Sequence, residues 1–231
     1  MLSLSFATGH VLALRRFTAS SVGQAYTAVW HRSPEDRWTF YPDAPPSRSC
    51  PRYFDGGTAR SVRTSIHLAW STDRALVVSI ADIARLDWKI TLDSTPTTRL
   101  LNTMAGIIPE ELWHRQRFLT LMGHLAGRAL GAGRIRLHGS TPNHQWFLMS
   151  PLPIWTVKSS QTSLDGRDLG PPAPLDRQTH LADFWLPQRG LVAVGHAFFE
   201  PLDVARHICT PGKAESETEV PVRSNPLPDR T

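Results

Sequence analysis

Cysteine is nearly absent from this 231-residue chain: Cys50 and Cys209 are its whole supply. Two thiols cannot build a disulfide scaffold or a cysteine-rich metal site, so a reducing compartment, the cytoplasm, is expected. Lysine is almost as scarce, with Lys89, Lys158 and Lys213 alone among 25 basic residues. The formal net charge of +5 therefore comes from arginines scattered singly, and the longest basic run is the pair Arg15-Arg16. A surface that follows phosphates needs clustered cations to displace counterions, which argues against nucleic-acid binding. No apolar run approaches the roughly 18 residues that a membrane span requires. The start, MLSLSFATGHVLALRRF, has no positive leading region, and Thr8, Gly9 and His10 interrupt its apolar residues, so it reads poorly as a signal peptide.

Catalytic signatures are missing too. No GxSxG elbow occurs, and none of the ten histidines stands in an HxH or HExxH arrangement. His114 and His124 share a helical pattern, but their spacing sets them about 15 Å apart along an axis, too far to share an ion. The GxxxGxG at Gly127, Gly131 and Gly133 closes a helix instead of opening one, so it cannot cradle a nucleotide at a helix N-terminus. Gly123, Gly127 and Gly131 recur every fourth residue and leave a flat stripe that a strand can approach closely, with Gly131 as a C-terminal cap. Neither a metal nor a cofactor is expected.

Strand patterning is plentiful. In LDWKITLD, Leu86, Trp88, Ile90 and Leu92 alternate without exception against Asp87, Lys89, Thr91 and Asp93. VRTSIHLAW and ALVVSI complete a meander with it. HVLALRRF, AYTAVWHR and RWTFY supply earlier strands, the last two forming a hairpin around the SPED turn. GRIRLHG, HQWFLM, IWTVKSSQTS and GLVAVGHAFFE supply later ones. Between the halves, at about 95–130, lies a helical insert: a short helix over TPTTRLLNTMAGII and a long one starting at Pro109 and ending at Gly131. From residue 209 the composition turns to Pro, Glu, Ser and Arg, the signature of a disordered tail after a single β-rich domain over 1–208. These elements predict a mainly β (α+β) fold, one antiparallel sheet curled or closed into a barrel with the helices as an insert.

A barrel that encloses a cavity lines it with aromatics and a few polar groups, and eight tryptophans suit either such a lining or a plain core. Trp30, Trp38, Tyr41, Tyr53, Trp88 and Trp155 are the candidate ligand-binding residues, with core filling an equal alternative for Trp38. PDAPPSRSCPRYF reads as a Pro-stiffened loop at the site, and residues 164–190 as a possible lid. The leading expectation is a soluble binding protein that holds a small apolar or aromatic metabolite in the barrel. An alternative is cofactor-free acid/base chemistry (isomerisation, hydration or cyclisation) in the same cavity, pairing His31, His67 or His196 with Asp87 or Asp183. A third is a protein-interaction module using arginines and exposed tryptophans.

The segments VWHRSPEDRWTFYPDAPPSRSCPRYF, AGRALGAGRIRLHGSTPNHQWF and DLGPPAPLDRQTHLADFWLPQRGLVAVGHAFFE together resemble an uncharacterised family of actinobacterial proteins of about this length. The resemblance spans most of residues 10–200 and implies no activity. In architecture alone, the strands and tryptophan spacing are similar to lipocalin-like barrels, including carotenoid hydratase and cyclase type domains. That likeness implies an apolar substrate held in a barrel and assigns no chemistry.

Overall fold

Period-two alternation builds most of the molecule. The computed structural model describes residues 1–203 and 205–207; the tail expected from residue 209 lies outside the described residues. The strands are β1 (Leu2–Ser5), β2 (Val11–Phe17), β3 (Tyr26–Arg32), β4 (Trp38–Pro42), β5 (Arg60–Ser61), β6 (His67–Thr72), β7 (Ala75–Ile80), β8 (Leu86–Asp93), β9 (His138–Ser140), β10 (Trp146–Leu164), β11 (Arg167–Asp168), β12 (His180–Leu181), β13 (Phe184–Trp185) and β14 (Leu191–Phe199). The α-helices are α1 (Pro51–Phe54), α2 (Pro96–Ile107) and α3 (Gln116–Ala129).

One large sheet runs in the order β5-β4-β3-β2-β1-β14-β10-β8-β7-β6, with β9 and β11 also on β10. Every pairing in it is antiparallel except β4 with β5. The sheet curls through 217° into a half-barrel and does not close, so of the two forms expected, curled or closed into a lipocalin-like barrel, it takes the curled one. The reason lies at its ends. After β5 the chain stays on the edge of β4, where Val62 and Thr64 donate to the carbonyls of Phe40 and Pro42. It then crosses through residues 65 and 66 to start β6, so the two ends are joined covalently but by no ladder.

The curl has a cause in β10, which carries β14 along residues 147–156 and β8 along 156–163. Its register shifts between Pro151 and Ile154, and again between Val157 and Ser159. Such bulges bend a strand and raise its twist. Pro151 and Pro153 remove two backbone donors from the first bulge, and Asn102 of α2 mends it: Ile154 donates to Asn102 Oδ1 (2.8 Å), and Asn102 Nδ2 donates back to the Ile154 carbonyl (3.0 Å). The sequence patterns read as two strands, HQWFLM and IWTVKSSQTS, are thus one.

Inside the curl, one apolar core joins both halves of the sheet. Leu2, Leu4, Leu12, Leu14 and Val29 meet Leu76, Val78, Trp88 and Ile90, with Tyr41, Leu68 and Trp155 packed against them. The opposite face of β2–β4 is also buried. Val11, Ala13, Ala28, Trp30, Trp38 and Phe40 lie under a cover made by α1 and the segment around β12 and β13. Burial on both faces explains why VLAL reads as a continuous apolar run where a half-buried strand would alternate. PDAPPSRSCPRYF, expected as a loop, instead folds into a 3-10 turn and α1, burying Pro51, Tyr53 and Phe54. Within residues 164–190, Gln178 bonds Arg134 and Leu186, and Gln188 bonds Leu175 through both its amide atoms.

The helical insert differs in one respect from the pattern. Residues Glu110–His114 form a 3-10 turn, and Arg115 is extended (φ −92°, ψ 116°) before α3 begins. An unbroken helix at 100° per residue would set Trp113 about 120° around the axis from Leu119. The break brings both into one small core with Ala105 and Leu137. Gly123 and Gly127 let the segment 133–135 cross α3 closely, since a Cβ on either would meet the carbonyl oxygen of Ile135 or Gly133.

Candidate functional site

Side-chain alternation on β2 sends Leu12 and Leu14 into the curl and Val11, Ala13 and Arg15 to the outer core. A charged residue therefore stands where its neighbours are apolar. Arg15 is 3% exposed, and its Nε, Nη1 and Nη2 have no hydrogen-bond partner among the described residues. The guanidinium carbon lies 4.7 Å from the centre of the Trp30 ring and 4.9 Å from that of Phe184. Such cation–π contacts contribute about 0.5–2 kcal/mol each, well below the cost of burying an unpaired charge. Burial pulls the arginine down to about 10, which leaves it charged at neutral pH. Nearby, the Tyr26 hydroxyl and Cys50 Sγ are 3.4 Å apart, and burial pushes both groups up, so both stay protonated.

Arg15 borders a cavity of about 910 Å³. It exists because β1 is short. Ala193 donates to the carbonyl of Met1, whereas β2 runs on to Phe17 and β14 to Phe199, and among the described residues no strand pairs between them there. Trp30, Tyr53, Phe54 and Phe184 contribute an aromatic wall on the side of the outer core. Met149 and Ile154 of β10, and Trp113 and Met122 from the insert, continue the lining. The charged side chains along it, among the described residues, are Arg15, Arg16 and Arg136; neither Asp nor Glu takes part.

The sequence candidates separate into three places. Trp30 and Tyr53 line the cavity. Trp38 lies behind it, edge-on to Trp30 with ring centres 6.3 Å apart. Trp88 is in the middle of the inner core, where its Nε1 donates to Ser160 Oγ (3.0 Å), and Tyr41 and Trp155 pack against that core. His196 is exposed on β14 and borders the cavity. His31 is elsewhere, stacked on His10 with Nε2 2.9 Å from His10 Nδ1. His67 and Asp87 are exposed on β6 and β8. Asp183 pairs with Arg136 and accepts from the Ser140 amide (3.1 Å).

No expected histidine meets Asp87 or Asp183. Among the described residues, the histidine–carboxylate contact is His207 with Glu200, at 3.4 Å. Nor do three His, Cys, Asp or Glu side chains gather in metal-binding fashion among those residues. Sequence reasoning missed Arg15, although HVLALRRF held its signal: an arginine on the strand face of Val11, Ala13 and Phe17. Phe184 gave no local signal, because only the folding of 170–190 over the sheet brings it to Arg15.

The likeness to lipocalin-like barrels is confined to the strong curl of the sheet. Among known protein-family models, curated proteins and solved structures, none matches the chain.

Proposed function

We propose that this is a binding protein that holds a small, mainly apolar or aromatic molecule between β2 and β14. The carrying observation is the cavity of about 910 Å³, walled by aromatic and aliphatic side chains from several elements. That size falls within the range of ligand sites, which pair an apolar lining with a few placed polar groups. The site differs from the one anticipated in the sequence, because the interior of the curl is filled by side chains. Acid/base catalysis has less support: His196 borders the cavity without a carboxylate among the described residues to orient it. Among the described residues no helix is long and apolar enough to cross a membrane.

The test uses N-phenyl-1-naphthylamine, a neutral dye that fluoresces in apolar surroundings. It should bind the wild-type protein in the micromolar range. Ala197→Trp fills space beside β14 and should weaken that binding at least tenfold, with the circular dichroism spectrum unchanged. Equal binding to both proteins would remove the site from this cavity.

A further inference from the structure

We infer that the cavity takes a monocarboxylate with an apolar body, seated with its carboxylate on Arg15. This rests on the binding reading above and names the chemistry of the ligand. A guanidinium with all three nitrogens unpartnered is a costly thing to bury. Among the described residues, nothing around it compensates the charge. Beside it stand the Tyr26 hydroxyl and the Cys50 thiol, both neutral, and the rings of Trp30 and Phe184, which lie against the guanidinium but accept no N–H bond. The acid closest in role, Asp183, is committed to Arg136 and to the Ser140 amide.

The rest of the lining points the same way. Arg15 and Arg16 border the cavity, Arg136 on its wall is already paired with Asp183, and among the described residues no acidic side chain lines it, so its field favours an anion and disfavours a cation. Arg15 offers a planar fork that matches a carboxylate bidentately; its three nitrogens are covered in this structure, so a carboxylate reaches them only once a side chain beside the fork moves aside. Aromatic walls do not suit a small hydrated anion such as phosphate. They suit a carboxylate whose body is a hydrocarbon chain or a fused ring, and either source presents the same head group to Arg15.

The experiment compares acids with alcohols of the same body on the full chain: dodecanoate against dodecanol, and 2-naphthoate against 2-naphthol, read by melting temperature and by titration. At least one acid should bind roughly ten- to a hundredfold more tightly than its alcohol, the range expected for a charge-assisted pair. The dodecyl and naphthyl arms distinguish a chain from a ring. In Arg15→Met the acid's advantage should vanish while the circular dichroism spectrum is unchanged. The wild-type comparison needs no variant, so a misfolded Arg15→Met would not rescue the idea. Acid and alcohol binding alike, or an acid preference that survives Arg15→Met, overturns the inference; if the dye still binds, the cavity reading stands without it. Absence of dye binding with no response to either acid overturns both.

Discussion

His31 shows what burial does to a single side chain. Burial first, and then the neighbouring His10, pulls its imidazole down to about 4, and burial also lowers His10. Unfolded, a histidine takes up its proton near pH 6.5. Between about 6.5 and 4 the unfolded chain thus binds more protons, and the pair's contribution, complete above 6.5, is lost as pH falls toward 4. Each such proton gives a slope of at most about 1.4 kcal/mol per pH unit. His31→Gln should therefore lose less stability than wild type between pH 7 and pH 5, measured by urea midpoints; equal losses would show that His31 takes up its proton as readily in the fold as in the unfolded chain. At this scale the sequence is only half legible. Alternation tells which residues share a strand face, so Trp38 and Phe40 fall together and Tyr41 opposite, as found. It does not tell which face borders a cavity, so Trp88 and Trp155 group with Trp30 in the sequence although they serve a different core.

Helix α3 and the segment crossing it depend on backbone contact. Gly127→Ala would drive a methyl group into the carbonyl of Gly133, and overpacking of this kind costs about 1–3 kcal/mol. At Gly106, in α2, a methyl group would meet nothing within 4 Å among the described residues, so Gly106→Ala should stabilise by up to about 1 kcal/mol. Thermal unfolding of the two variants should move in opposite directions, and a harmless Gly127→Ala would mean that 133–135 is free to lift. Strands are the legible elements, because period two is a strong signal over five to nine residues. Three features escape it. Leu2–Ser5 is too short to show a pattern; the prolines of β10 hide a continuous strand whose partner is a side chain of Asn102; and the turn before α3 depends on where Trp113 must point.

Across the whole molecule, burial is uneven. Strands β2, β3 and β4 have a core on each face, whereas β6, on the far edge, is largely exposed, with Trp70 52% open to solvent. Local opening follows such differences. Hydrogen–deuterium exchange should be slower in β2 and β3 than in β6; the reverse order would contradict the two-core account. Fold class is readable from the number and spacing of strands, but closure is not. Whether a curled sheet joins its ends depends on how the chain passes from β5 to β6, and residues 62–66 carry no local sign of it.

The register of β1 on β14, with Leu2 beside Val192 and Ser3 beside Leu191, ties the order of folding to the order of synthesis. Hairpins among β1–β4 and the meander β6–β8 can form as soon as they leave the ribosome. Joining them through β1 must wait until Val192 has been made, so for most of translation Leu2, Leu4 and Trp88 face water. A nascent chain with that much unburied apolar surface is a natural client for a chaperone acting before release.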